Sequence, residues 1–168
     1  MNDCILIGLD SSTTSTGYSI YTNAYLTDYG VISCTDVKDN ELRFESMCKR
    51  IVELLNHYHP RIISAELTTP TRNAVTQRKL TMLLGVIYGW CLEHDCECIF
   101  YRATEWRSLI SSHYPKKREE LKQWAIQQVN DKYHIQVNDD TAEAILIGQA
   151  RINEVDQWIE RNTSNEGI

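Results

Sequence analysis

Acidic residues occur at three separate places in this chain where carboxylates could act together. They are Asp10, Glu66, and the group Asp139, Asp140 and Glu143. On a helix, Asp140 and Glu143 would share a face at a spacing of three, and Asp139 and Glu143 at a spacing of four. Several carboxylates at one place are the hard oxygen ligands that Mg²⁺ or Mn²⁺ prefers. The acids therefore raise the hypothesis of a divalent-metal site.

Each acid also has an ordinary explanation. An aspartate after a strand often forms a turn, and acids in a first helical turn often cap the helix. Asp10, Glu66 and Glu143, however, each stand next to Ile, Leu or Ala. Carboxylates in apolar surroundings need partners that offset their desolvation, and one cation can serve several of them. The set therefore favours metal binding more than any single acid does.

The first two acids follow apolar runs that we predict to be buried strands. Asp10 directly follows the apolar run CILIGL, and Glu66 follows the apolar residues of RIISAEL. Ligands bind at the carboxyl ends of strands in open α/β sheets, so neighbouring strands would direct both acids into one crevice. Between them, GYSIYT and TDYGVIS predict two more strands of an antiparallel meander, joined through NAYL.

Helical periodicity alternates with strand patterns over the rest of the chain. We predict helices at residues 42–58, about 73–94, near 106–110, about 116–132, and from residue 139 or 140 onward, with a strand at 96–103. Strands early in the chain followed by alternating helices and strands indicate an α/β domain with a mixed sheet. We expect a single domain over residues 1–168.

Composition limits the classes of protein. The net charge is -6, yet residues 61–125 carry ten basic against seven acidic residues. That local excess is compatible with DNA. The six cysteines form no CxxC pair and are expected to be reduced. Apolar runs are too short for a membrane helix and no signal peptide is recognisable, so we expect a soluble, intracellular protein.

Three motifs carry a family resemblance. ILIGLDSSTTSTGYSI, IISAEL and NDDTAEAILIG, in this order, resemble the acidic motifs of the RuvC family of Holliday-junction resolvases, over about residues 5–150. The chain is also similar to the shorter RuvC-like proteins of phages and low-GC bacteria. The resemblance implies a ribonuclease H-like fold, with a mixed five-stranded sheet flanked by helices.

The resemblance also implies a catalytic role for four acids. Asp10, Glu66, Asp140 and Glu143 would hold two Mg²⁺ ions, for which Mn²⁺ can substitute, and the enzyme would hydrolyse DNA phosphodiesters to leave 5′-phosphate ends. Glu143 departs from the family, which more often has Asp or His there. Whether Asp139 or Asp140 is the ligand stays open. The hydroxyl-rich turn SSTTST would approach a DNA phosphate.

Basic residues are expected to hold the DNA. The predicted contacts are Arg72, Arg78, Lys79, Arg107, Lys116, Lys117 and Arg118.

The resemblance also implies a homodimer, because the family acts as one. The helix at 73–94 has more apolar residues than a single contact with the sheet would bury, so part of its surface could form the dimer interface. Thr68, Thr69 and Pro70 follow Glu66 where bacterial resolvases have an aromatic wedge. We therefore expect cleavage of forks and flaps as well as four-way junctions, in the cytoplasm of a bacterium or phage-infected cell.

Three alternatives remain at this stage. LDSSTTSTGYSI is similar to the first phosphate loop of sugar kinases and actin-like ATPases, although these need two such domains. A second alternative is a non-catalytic scaffold of the same fold that binds branched nucleic acid. A third is a metal site at HDCEC (residues 94–98), whose single Cys-x-Cys is poor for structural zinc.

Overall fold

The computed structural model describes residues 3–68 and 73–164. A five-stranded sheet with the order β3-β2-β1-β4-β5 forms its centre. The strands are β1 (Ile5–Asp10), β2 (Ser15–Thr22), β3 (Tyr25–Ser33), β4 (Ile62–Glu66) and β5 (Glu97–Tyr101). The β1–β2 and β2–β3 pairs are antiparallel, and the β1–β4 and β4–β5 pairs are parallel. The predicted mixed sheet is confirmed.

The β2–β3 hairpin is tighter than the sequence pattern suggested. Only Asn23 and Ala24 lie between the strands, with φ angles of 52° and 69°. Two successive positive φ angles are typical of the type I′ turn, whose twist matches that of the strands it joins. Tyr25 and Leu26, predicted to belong to the connection, therefore already pair in β3.

Five helices accompany the sheet within the described residues. They are α1 (Asn40–Tyr58), α2 (Ala74–Glu93), α3 (Ala103–Ile110), α4 (Arg118–Tyr133) and α5 (Asp139–Thr163). The side chains of Asp39, Asn73 and Asn138 accept hydrogen bonds from the first-turn N–H groups of α1, α2 and α5, which satisfies donors that a helix start leaves unpaired. Among the described residues, no helix is long and apolar enough to cross a membrane.

The helices cover both faces of the sheet, and β1 and β2 alternate between them. Ile7 and Ile20 join the cluster formed with α1 and α2. Leu6 and Tyr21 join the opposite cluster, formed with α3, α4 and α5. Full burial of an Ile or Leu side chain contributes about 1.5–3 kcal/mol, so both faces stabilise the sheet.

The first half of α5 makes unusually close contact with the sheet. A Cβ atom on Gly8 would lie 2.4 Å from the Ala144 carbonyl oxygen, and one on Gly17 would lie 2.0 Å from that of Asp140. Only glycine permits such a backbone approach. The hydroxyls of Ser19 and Tyr21 also donate to α5 carbonyl oxygens, at 2.8 Å each. These contacts fix where the acidic start of α5 lies relative to β1.

Candidate active site

Two strand ends place the first two acids side by side. Because β1 and β4 are adjacent and parallel, with Leu9 opposite Ala65, Asp10 and Glu66 end their strands at the same edge of the sheet. This arrangement confirms the prediction that both acids meet in one crevice. Asp10 pairs with Gly17 and Glu66 with Tyr101, so strand pairing fixes the backbone positions of both acids.

Helix α5 brings the remaining acids to the same edge. Its first turns line an open cleft of about 490 Å³ together with β1, β4, α3 and α4. The cleft residues are Asp10, Ser12, Glu66, Arg107, Arg118, Leu121, Lys122, Asp139, Asp140 and Glu143. Five carboxylates from three separate parts of the chain therefore face one solvent-accessible space.

Four of these acids each pair with a side chain that lies outside their own strand or helix. Ser15 Oγ donates to Asp140 Oδ2 at 2.5 Å, and Trp106 Nε1 donates to Glu66 Oε2 at 2.6 Å. Lys122 Nζ lies 2.6 Å from Asp139 Oδ2.

The fourth partner is a guanidinium, since an Arg107 nitrogen lies 3.6 Å from Glu143 Oε1. Each of the four side chains is thus oriented by a neighbouring donor or cation.

The electrostatics of the cleft reflect this crowding of acids. Burial raises the pKa of Asp10 well above its usual range, and the negative charges of Glu143, Glu66 and Asp140 raise it further. Burial and the charge of Glu66 also raise the pKa of Glu143, although Arg107 opposes that shift. The carboxylates therefore repel one another, and a cation between them would relieve the repulsion.

The donor set fits a hard divalent cation. All the acidic donors are carboxylate oxygens, as Mg²⁺ and Mn²⁺ require. Within residues 3–68 and 73–164, however, no three acidic, His or Cys side chains already converge on one ligand position. Asp140, Glu66 and Glu143 each have one carboxylate oxygen paired within the protein.

The predicted DNA-binding residues lie in different parts of the structure. Arg107 and Arg118 line the cleft, whereas Lys116 and Lys117 are exposed just before α4. Arg78 is exposed on α2, and Arg72 lies outside the described residues.

Lys79 has a different environment. Its side chain is only 13% exposed, and its ammonium lies 2.7 Å from Glu41 Oε1 and donates to the Asn40 carbonyl at 3.0 Å. Lys79 therefore joins α2 to α1, and a DNA contact would have to compete with these bonds.

Three contacts to the acids of the cleft were not predicted from the sequence, namely those made by Ser15, Trp106 and Lys122. Lys122 had a signal, since it follows Arg118 by four residues and so shares its helical face. Ser15 also had one, because Ser15, Gly17 and Ser19 alternate as small residues on one face of β2, a pattern that indicates a closely packed neighbour. Trp106 had none, since an apolar residue at helical spacing predicts only burial.

The HDCEC stretch is accounted for by packing. The His94 ring stacks on Trp90 with centroids 4.0 Å apart, and its Nδ1 lies 2.8 Å from the Trp90 carbonyl oxygen. Cys96 and Cys98 pack against the core on the α1–α2 side of the sheet. These contacts explain the stretch as the entry of β5 into the sheet.

Comparisons with known proteins agree with this geometry. A family model described as crossover junction endodeoxyribonuclease RuvC matches residues 6–151. A crossover junction endodeoxyribonuclease RuvC of Chlorobium phaeobacteroides is 22% identical, over 96% of this chain and 92% of that protein.

Solved structures share the fold. Thermus thermophilus RuvC superposes with a TM-score of 0.70 at 16% identity, covering 91% of this chain and 96% of that one. The fowlpox virus resolvase, solved with Holliday junction DNA, gives 0.61 at 15% identity, over 90% and 98%. The structural likeness shows the ribonuclease H-like fold, and the family match extends over most of the sequence. The chain belongs to the crossover junction endodeoxyribonuclease RuvC family.

Proposed function

We propose that this chain is a divalent-metal-dependent endonuclease that resolves four-way DNA junctions and also cuts other branched DNA. One observation carries the proposal: carboxylates from β1, β4 and α5 share a single open cleft, and basic side chains from α3 and α4 line the same cleft. The acids suit metal ligation, and the cations suit a phosphate backbone. A non-catalytic scaffold would have no need for the acids.

In this proposal, Asp10, Glu66, Asp140 and Glu143 hold two Mg²⁺ ions, with Mn²⁺ as a substitute. Bound ions of this kind lower the pKa of a water molecule and stabilise charge on the phosphate. Asp140 is preferred to Asp139, because Asp140 is among the charges that raise the Asp10 pKa while Asp139 is paired with Lys122. Glu143, one methylene longer than Asp, reaches the cleft from the second turn of α5.

The reaction would be a direct hydrolysis. A water oxygen attacks phosphorus, the bond from phosphorus to the 3′ oxygen breaks, and the departing oxygen takes a proton, leaving a 5′-phosphate and a 3′-hydroxyl. Arg107, Arg118 and Lys122 lie among the acids and would draw the phosphate into a cleft that is otherwise strongly negative. Lys116, Lys117 and Arg78, all exposed, would hold the flanking backbone.

The substrate range rests on the segment after Glu66. Thr69 and Pro70 lie outside the described residues, and the Thr68 hydroxyl accepts a hydrogen bond from Gln77. Without an aromatic wedge, we expect selectivity to come from the shape of the DNA, so that forks and flaps are cut together with four-way junctions. Because these substrates are genomic or phage DNA, we place the enzyme in the cytoplasm of a bacterium or of a phage-infected cell.

We further propose a homodimer that forms through α2. The helix divides into a buried side, which includes Leu83 and Ile87, and an exposed side, on which Met82 is 53% and Leu92 66% exposed. Gly85 and Gly89 lie along the helix between these two exposed residues, and a Cβ on either would meet nothing within 4 Å. Apolar side chains flanking two glycines would let the same helix of a second copy approach closely.

The nuclease proposal is tested on a labelled synthetic four-way junction. Wild type and Asp10→Asn are compared in Mg²⁺, in Mn²⁺ and in EDTA, with cleavage and gel-shift binding measured together. We expect paired nicks that require metal and disappear in the variant, while binding persists. If wild type binds the junction but does not cut it in Mg²⁺ or Mn²⁺, the nuclease proposal is wrong and the non-catalytic scaffold is favoured.

The dimer proposal is tested with Gly89→Glu, which adds a charge where the monomer has open space. Sedimentation at micromolar concentration should give a dimer for wild type and a folded monomer for the variant. Tyr25→Glu, on the exposed end of β3 (77% exposed), is the matched control and should remain dimeric. A monomeric wild type would disprove the interface.

A further inference from the structure

A tryptophan holds one of the four acids of the cleft. Trp106, in α3, is 0% exposed, and its indole N–H donates to Glu66 Oε2 at 2.6 Å. Trp106 itself is absent from the residues that line the cleft, so it reaches the site only through Glu66. We propose that Trp106 is a positioning residue that orients the Glu66 carboxylate for metal binding. The inference rests on the proposed metal-dependent function.

The geometry of the indole supports this role. An indole N–H is a donor only, so the Glu66 oxygen that it contacts serves as the acceptor and faces α3. The other carboxylate oxygen is then the one available to the cleft. Glu66 has little freedom elsewhere, since its backbone pairs with Tyr101 in β5 and the next N–H, that of Leu67, donates to the Tyr101 carbonyl at 2.7 Å.

The indole is itself held in place from other directions. The Arg107 guanidinium lies 4.8 Å from the centroid of the Trp106 ring, and the Trp124 ring lies 6.2 Å away at a tilt of 31°. Cation–π and aromatic contacts of this kind restrict ring rotation. Because Arg107 also faces Glu143, Trp106 and Arg107 orient two neighbouring acids as one unit.

A donor behind a metal ligand has a measurable consequence. Loss of such a partner typically weakens metal affinity or activity by about 10- to 100-fold. Trp106→Phe keeps an aromatic ring and removes only the N–H and part of the ring system. We expect the Mg²⁺ concentration for half-maximal thermal stabilisation, measured without DNA, to rise by about tenfold in this variant. Trp158→Phe, on an exposed part of α5, is the matched control and should leave it unchanged.

A second measurement is independent of whether Trp106→Phe folds. The chain has four tryptophans, so the indole ¹H–¹⁵N signals of wild type can be assigned by comparing single Trp→Phe variants that do fold. In Glu66→Gln the acceptor of the Trp106 N–H changes from a carboxylate to an amide, and its signal should move, whereas Asp139→Asn should leave it in place. MgCl₂ added to wild type should move the same signal.

The outcomes separate the two proposals. An unchanged half-saturating Mg²⁺ concentration in Trp106→Phe, with only a lower melting temperature, would mean a structural role and would overturn the positioning role. An indole signal unaffected by Glu66→Gln would overturn it as well. Wild type that binds Mg²⁺ as expected but cuts no branched DNA would instead overturn the nuclease, and the role of Trp106 in orienting Glu66 would stand.

Discussion

The two halves of α5 differ in every property that matters for a site. Residues 144–150 are all buried, and the glycines of β1 and β2 let this half lie against the sheet backbone. Residues 156–164 are exposed, with Trp158 62% and Ile159 46% exposed, and the family match ends at residue 151. One continuous helix therefore has an anchored half, residues 139–150, and a free half, residues 156–163.

The difference shows how the fold places its acids. Asp140 and Glu143 lie at the start of the anchored half, where Ser19 and Tyr21 donate to helix carbonyls and Gly17 meets the Asp140 backbone. Their position is therefore set by backbone contacts with β1 and β2. Side chains on the free half have no comparable constraint. Substitutions should have large effects at one end of α5 and small effects at the other.

The largest effect is expected at the anchored end, at Asp140. In the proposed function Asp140 is a metal ligand, and its loss would remove several kcal/mol of transition-state stabilisation, so the cleavage rate should fall by about 10³-fold. Single-turnover cleavage of a four-way junction in Mg²⁺ measures it for Asp140→Asn.

Asp139→Asn is the matched control for that measurement. It breaks an ion pair with Lys122 in which each side chain is about a third exposed (34% and 32%). Such a pair contributes about 0–1 kcal/mol, so even if all of it acted on the transition state the rate should stay within about fivefold of wild type. If Asp139→Asn cleaved more slowly than Asp140→Asn, Asp139 would be the metal ligand instead.

The next largest effect is expected where the sheet meets the helix, at Gly17. The new Cβ of Gly17→Ala would lie 2.0 Å from the Asp140 carbonyl oxygen, so α5 must move. Overpacking of this kind costs about 3 kcal/mol, which lowers the melting temperature by about 6–12 °C. Displacing Asp140 should also slow cleavage, by about 100-fold for a shift near 1 Å.

The control for Gly17 is Gly85→Ala, in α2. A Cβ at Gly85 meets nothing within 4 Å, and alanine favours the helix by about 1 kcal/mol. Its melting temperature should therefore rise slightly, measured in dilute protein so that association does not contribute. Equal losses in both variants would mean that glycine flexibility, rather than close approach, matters at these sites.

A smaller effect, an increase in melting temperature, is expected for Asp10→Asn in the absence of metal. Burial and the neighbouring acids raise the pKa of Asp10 in the folded chain, so the unfolded chain ionises more readily and gains stability as the pH rises above the ordinary carboxyl pKa. Asp10→Asn removes that penalty, and in EDTA it should melt at a higher temperature than wild type at about pH 7. The difference in melting temperature between the variant and wild type should narrow towards about pH 4, where Asp10 takes up a proton in the unfolded as well as the folded chain.

Metal should reverse this order. Saturating Mg²⁺ is expected to stabilise wild type and not the variant, because binding to the folded state alone raises stability by mass action. Thermal melts with and without MgCl₂ check this. A variant that is less stable than wild type in EDTA at neutral pH would show that Asp10 has a structural role that outweighs the repulsion.

Much of the framework could be predicted from the sequence, because it depends on local periodicity. The apolar runs before Asp10 and Glu66 gave two strands, and a spacing of three or four gave helix α5 and its acids. Boundaries shifted by a few residues, as at Tyr25, because turn geometry decides where pairing resumes. The side-chain partners were not predictable in this way. The contacts of Trp106 with Glu66 and of Lys79 with Glu41 form only when distant segments of the chain pack together, so no local pattern encodes them.

The smallest effect is expected at the free end of α5. Trp158→Ala removes a side chain that is 62% exposed, and surface substitutions of this kind usually change the free energy of unfolding by less than about 0.5 kcal/mol. Cleavage and the Mg²⁺ requirement should equal those of wild type, because no cleft residue lies on this half of the helix. Urea unfolding and single-turnover cleavage check both expectations. A loss of several kcal/mol would mean that the indole is covered in solution, and the helix would then be anchored along its whole length.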